Sequence, residues 1–358
     1  MSKSTDVQLR VSCLCICAIS LVLLFFTGCA REQQAVDLYV DAVMLRELDE
    51  NEKAIEKLNS SVQLNKRFSL AYSLLGEIYQ EMEEYERSVV SYEKATELNQ
   101  WSFRDYFNLG RVYQIMKKFA EAVKAYARAC ELKPDHLDAH INITKCYYEI
   151  KDYNGALVYG RRVEQIDPNV SEIQELLGNI YESQKDYESA IASYKRALEI
   201  DSNNTEVMTS LAVTYLRTGH NSYAKELLTS VIQIQPDNGK AYQHLGFCYL
   251  RFYEQTSEKY KLAVKTDSEN TEVLSSLKED MEETIDKSVE NYLRTIEIND
   301  KDWEAHRGLG VAYAIWGTNN KSEALKTKAV QHWRVSLDIN PNQPNRERLL
   351  KYMRVYSQ

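Results

Sequence analysis

A chain of 358 residues accommodates two ordinary domains or one long repeat array. With 44% hydrophobic and 27% charged residues it is a folding polypeptide, and 12 glycines and 5 prolines are too few for a turn-rich β-sandwich, so helix is expected. The formal net charge of −9, with no basic stripe interleaved with aromatics, argues against a nucleic-acid partner.

In chain order, Lys3 and Arg10 precede an apolar run from Val11 to Phe26, which Thr27-Gly28-Cys29-Ala30 follows. A basic start, an apolar stretch and small residues describe a secretory signal. The run is sixteen residues long, short of the roughly 20 that span a bilayer, and a retained signal anchor is the alternative. Cys13, Cys15 and Cys17 lie inside it as small apolar fillers.

The end of this segment, Phe26-Thr27-Gly28-Cys29, resembles the lipobox of bacterial lipoproteins; Gly28 and Cys29 match, while Phe26 replaces the usual leucine. The resemblance implies a signal peptide at 1–28, diacylglycerol on Cys29, and a short tether at 29–34. Ala30 is not the aspartate that retains enteric lipoproteins in the inner membrane, so the periplasmic face of the outer membrane is the expected location in a Gram-negative host.

Beyond residue 35 one period organises the chain. Leu75-Gly76-Glu77-Ile78-Tyr79 and Leu109-Gly110-Arg111-Val112-Tyr113 lie 34 residues apart, and Leu177-Gly178…Tyr181 and Leu245-Gly246…Tyr249 keep the phase. Tyr106, Leu109, Gly110 and Tyr113 form the apolar stripe of one helix; Ala122, Tyr126 and Ala129 form that of a second. Pro134, Pro168, Pro236 and Pro341 follow second helices, where proline ends the element. The pattern resembles the tetratricopeptide repeat family over nearly all of 35–343. It implies an all-α, right-handed α-solenoid of helix-turn-helix repeats at 35–68, 69–102, 103–136, 137–170, 171–204, 205–238, 239–302 and 303–343. Residues 344–358 read as a C-terminal capping helix.

Three irregularities interrupt the rule. The seventh repeat holds about 30 extra residues near 256–285, where Val273, Leu274, Leu277, Met281 and Ile285 keep helical spacing; a lengthened hairpin packed on the array is expected, a partner-binding projection the alternative. Repeat eight has about seven extra residues near 319–326. In repeat four, Gly160 stands where neighbouring units carry tyrosine, with Tyr159 expected to fill the gap. In the first repeat, Val36, Tyr39, Val40 and Val43 form an apolar face, which self-burial or contact with a membrane, a partner or another copy would cover.

In this family the first helices line a groove that takes peptides or extended segments. The corresponding positions are Arg104, Phe107, Asn108, Arg111, Ile141, Asn142, Lys145, Asn179, Thr209, Val213, Arg217, Gln243, Phe247 and Arg251. Mixed apolar, amide and basic groups suit a peptide backbone with some anionic character. Asn108 and Asn142 match the amide slot of the chaperone-tail carboxylate clamp, but its lysine slots hold Ser73, Phe107 and Asp138, so that specificity is not expected.

No catalytic constellation, phosphate-binding loop or zinc-protease motif is present, and no cofactor, metal or small-molecule substrate is expected. His136 and His140 read as polar surface histidines, and Gly308 and Gly310 as sites of close helix packing. Cys130, Cys146 and Cys248 read as buried thiols, although Cys130 and Cys146 fall on neighbouring helices where a disulfide could form. The expected function is a non-catalytic, lipid-anchored scaffold that assembles proteins at the bacterial envelope. The alternative is a regulatory subunit of an envelope enzyme such as a glycosyltransferase or protease.

Overall fold

The structure, a computed structural model, describes residues 30–356; the lipobox-like segment and Cys29 lie outside them. Those residues form seventeen helices and no strand, in two compact units that divide at Pro168 and Asn169.

The first unit contains α1 (30–47), α2 (Asn51–Leu64), α3 (Ser69–Glu81), α4 (Tyr85–Leu98), α5 (Phe103–Ile115), α6 (Phe119–Leu132), α7 (Leu137–Glu149) and α8 (Tyr153–Ile166). The second contains α9 (Ser171–Ser183), α10 (Tyr187–Ile200), α11 (Thr205–Arg217), α12 (Asn221–Ile234), α13 (Gly239–Thr266), α14 (Thr271–Ile298), α15 (Trp303–Asn319), α16 (Glu323–Ile339) and α17 (Arg346–Tyr356). In each unit successive helices pair as antiparallel hairpins, the expected repeat architecture. Residues 30–34, expected as tether, belong to α1.

The hairpins close on one device. Gly76, Gly110, Gly178, Gly246 and Gly310 on first helices lie directly under Tyr92, Tyr126, Tyr194, Tyr292 and Trp333 on second helices. A methyl group at Gly178 would lie 2.5 Å from Tyr194 Cε1, and one at Gly110 2.7 Å from Tyr126 Cδ1. The large ring thus occupies the volume the glycine vacates, and each ring is nearly or wholly buried. Gly308 similarly abuts Tyr292, as the Gly-x-Gly pattern leads one to expect. Repeat four inverts the device: buried Thr144 takes the glycine slot and buried Gly160 the tyrosine slot, which recovers only part of the ring's volume. Tyr159 stacks on Tyr147 with ring centroids 5.6 Å apart, filling the remaining space as expected. Gly178→Ala should destabilise the second unit by about 1–3 kcal/mol through overpacking, read from the midpoint of urea unfolding against wild type.

Turns repeat with the same period. Asp49, Glu83, Lys117, Lys151 and Lys185 hold φ between 57° and 63°, and Gly219 holds 82°. Each ends a first helix in a left-handed cap, with a backbone bond such as Glu84 N–H to Tyr79 O at 2.8 Å. Side-chain caps start many helices: Asn204 Oδ1 accepts from the Glu206 and Val207 amides, and Asp302 Oδ1 from the Ala305 amide.

The insertions lengthen helices rather than adding loops. α13 and α14 have 28 residues each, against 13 and 14 in ordinary pairs, and α15 and α16 have 17 each. Splitting the extra residues evenly restores the hairpin register, so Ser288 still donates to Gly246 O at 2.8 Å, as Ser88 does to Gly76 O at 2.7 Å. The outer half of α13–α14 departs from expectation. From Glu254 to Thr284 no residue is buried, and Leu262 is 62% exposed, so most of this segment stands out in solvent, with Met281 near its base still packed on the core of the last repeats.

The start of the first unit is open. Ile78, Val112 and Cys146, one repeat apart, are fully buried, whereas Met44 in the same slot of α1 is 61% exposed. Met44 continues an exposed line through Val36, Val40 and Leu48; of the apolar face expected on the first repeat, Val36 and Val40 are uncovered, whereas Tyr39 and Val43 pack on the core, Tyr39 against Phe68 at 5.3 Å.

Candidate protein-binding faces of the first helices

In the first unit the faces of α1, α3 and α5 carry an ionic row. Glu77, almost fully buried, accepts from Arg46 at 2.8 Å and from Arg104 at 2.5 Å, and Arg46 also binds Glu81. Beside it Ser73 donates to buried Asp105 at 2.5 Å. Arg104 is therefore exposed but already neutralised by a carboxylate. Arg111 is exposed on the same face, Asn108, Asn142 and Lys145 are half-buried, and Phe107 lies in an aromatic cluster with Phe103, His136 and Tyr126 at 5.6, 5.3 and 5.7 Å.

Two expectations are corrected here. Ile141, placed in the groove by periodicity, is a core residue at 7% exposure. His136 and His140 are not surface histidines: His136 caps α7 through the Ala139 amide, and buried His140 bonds Pro134 O at 2.9 Å. Burial holds the His140 pKa below the ordinary imidazole value. Cys130, Cys146 and Cys248 are free and buried, and burial pushes each thiol up to about 12. The Cys130–Cys146 disulfide does not form. Among the described residues no three His, Cys, Asp or Glu side chains could hold a metal ion.

In the second unit Asn179 accepts from the Tyr194 hydroxyl at 2.6 Å, Thr209 donates to Thr205 O at 2.7 Å, and Arg217 pairs with Glu182 at 3.3 Å. Val213 is half-buried beside them. Gln243 donates to Glu304 at 2.7 Å, and Arg251 lies 5.1 Å over the exposed ring of Phe247 while pairing with Glu254 at 2.9 Å. Gln243, Phe247 and Arg251 line a cavity of about 410 Å3, closed on the far side by α15 and α17. Arg307, Arg348 and Tyr352, outside the groove positions named from the repeat, complete it. Arg307 stands in the slot of Phe107, since both precede the packing glycine by three, so extending the row to repeat eight would have found it. Arg348 and Tyr352, on the capping helix, occupy no repeating slot.

Family models described as tetratricopeptide repeat match residues 70–100, 104–136 and 182–245. The chain is built of tetratricopeptide repeats. Among solved structures it is similar to the C-terminal part of a TPR repeat-containing protein from Cytophaga hutchinsonii, at 18% identity and a TM-score of 0.54, over 76% of this chain and 99% of that one. It is also similar to YrrB, described as a TPR protein with an unusual peptide-binding site, at 22% identity and a TM-score of 0.46, over 51% of this chain and 95% of that one. MamA from Desulfovibrio magneticus RS-1 gives 18% identity and a TM-score of 0.45, over 48% and 96%. At these identities the likeness is one of fold. No curated protein matches the sequence. Stacked tetratricopeptide repeats are protein-interaction scaffolds, because rigid helices present one continuous row of side chains per unit.

Proposed function

We propose that this chain is a lipid-anchored scaffold of the bacterial cell envelope that holds a protein or peptide partner on the faces of its first helices. The observation that carries the reading is on those faces. From α3 onward the core slots of the first helices are filled, yet Arg111, Arg217 and Phe247 remain exposed on elements fixed by packing. Side chains so placed add little to the fold and are pre-organised for a ligand. Among the described residues no helix is long and apolar enough to cross a membrane, so attachment would rest on the segment before α1. The described part of α1 reaches back to residue 30, the neighbour of Cys29 in sequence, which would hold the first unit close to an acylated residue.

Intact mass and membrane fractionation of the native protein beside Cys29→Ser test the anchor. The expected result is wild type lacking residues 1–28, carrying lipid mass and sedimenting with membrane, while the variant does not. Unmodified mass and identical fractionation of the two forms would remove the anchor and leave the scaffold alone.

A further inference from the structure

The cavity between α13, α15 and α17 brings two guanidiniums without a carboxylate partner to one concave site. On the first unit's faces Arg46 and Arg104 meet carboxylates, and in the second unit Arg217 meets Glu182. Arg307 and Arg348 meet no carboxylate among the described residues. Arg307 stacks 4.9 Å over Trp303 and directs one N–H to Pro344 O at 3.4 Å. Arg348 stacks 5.5 Å over Tyr352 and directs one N–H to that residue's hydroxyl at 2.9 Å. A guanidinium carries five N–H donors, so each retains most of its capacity while its plane is held by an aromatic ring.

Of the carboxylates that line the same cavity, Glu254 pairs with Arg251, whereas Glu304 accepts from the neutral amide of Gln243 and keeps its charge. His244, also in the lining, has its pKa lowered by burial and adds no charge at neutral pH. Arg251, Arg307 and Arg348 against Glu254 and Glu304 leave the lining one positive charge in excess, and it sits over an apolar floor that includes Phe247, Val311 and Leu349. A volume of about 410 Å3 is within the range of ligand-binding cavities.

We infer that this cavity, formed by the last two repeats and the capping helix, is a recognition pocket for a peptide carboxylate next to a hydrophobic side chain. The carboxylate would take forked hydrogen bonds from Arg307 and Arg348 while the apolar group covers Phe247 and Leu349. The inference rests on the reading of the first-helix faces as the partner surface and names the chemistry one part of that surface selects. It also gives α17 a second role besides capping, since Arg348 and Tyr352 come from it.

Fluorescence anisotropy on the full chain tests this with three labelled peptides of alternating phenylalanine and aspartate, phenylalanine and asparagine, or phenylalanine and lysine. Each is made as free acid and as C-terminal amide. The acidic free acid should bind at least about tenfold more tightly than the asparagine amide, which carries no carboxylate, the scale of a charge-assisted hydrogen bond. R348Q should remove about tenfold of that affinity and R307Q/R348Q more, with salt weakening wild type but not the double variant. Arg348 is exposed, so R348Q should keep the wild-type thermal midpoint and remains informative even where R307Q loosens the cap. Binding only as free acid identifies a chain terminus as the carboxylate; equal binding as amide identifies a side chain. Equal affinity for the asparagine amide, or an acidic peptide indifferent to both variants, would overturn the pocket and leave the wider face reading standing. If no peptide binds while photo-crosslinking at Phe247 still captures a partner, the pocket chemistry fails alone; if neither occurs, both readings fail.

Discussion

Trp333→Ala should be among the most damaging single substitutions in the second unit, with a cost of about 3–5 kcal/mol. Trp333 is 2% exposed, fills the slot above Gly310, and packs against Tyr352 and Tyr356 at 6.2 and 5.7 Å. Its indole N–H donates to Arg307 O at 3.2 Å, so truncation opens a cavity and also leaves a carbonyl without its partner. Because repeats stabilise one another only through neighbours, the loss should concentrate at α15–α17. Hydrogen exchange should show those helices opening while α9–α12 keep wild-type protection, and Trp333→Phe should recover most of the volume term. Uniform loss of protection across the second unit would show that cooperativity extends further than nearest neighbours.

The second large effect is on acid stability. His306 Nε2 donates to Asp300 O at 3.1 Å, which makes its Nδ1 the acceptor for His332 Nδ1–H at 3.0 Å. The rings stack at 5.3 Å, and Tyr313 lies 5.7 Å from His332. Burial, with help from His306 and Lys328, lowers the His332 pKa to about 4. An unfolded histidine titrates near 6.5. Between these values the unfolded chain binds a proton that the native chain refuses, so stability rises with pH and is lost on acidification from about 6.5 towards 4. His332 is partly open to solvent, which reduces the effect to roughly 2 kcal/mol. Half-buried His244 and buried His140 are shifted in the same direction and add to the slope. Urea midpoints measured from pH 7 to pH 4.5 should fall, and His332→Gln should flatten that fall. A flat wild-type profile would show that the histidine pair is solvated in the native state.

The repeat pattern was legible because it depends on volume. The pairing of Gly110 with Tyr126 and of Gly178 with Tyr194 is visible as a fixed interval, and the same interval explains Thr144 with Gly160. The side chains of the candidate faces were harder to place. Ile141 lies only a fraction of a helical turn from Asn142, and periodicity alone does not separate a groove position from the core edge beside it. The left-handed caps were hidden because Asp49, Glu83, Lys117, Lys151 and Lys185 are charged residues with no glycine to mark the turn; only Gly219 advertises it. His140 drew attention as a polar residue near Asp135 and Asp138, but its burial involves contact with Tyr159 on the facing helix of the hairpin, which local sequence does not display. Arg348 and Tyr352 belong to the one helix with no repeat to compare it with.

The central claim, that the first-helix faces hold a protein partner at the envelope, is tested most directly by photo-crosslinking in the native host. A photoreactive residue is placed at Phe247, on the face of α13, or at Tyr223, a more exposed aromatic on the second helix α12. The account predicts one defined envelope adduct from Phe247 and none from Tyr223. No adduct at Phe247, or the same adducts from both positions, would contradict it.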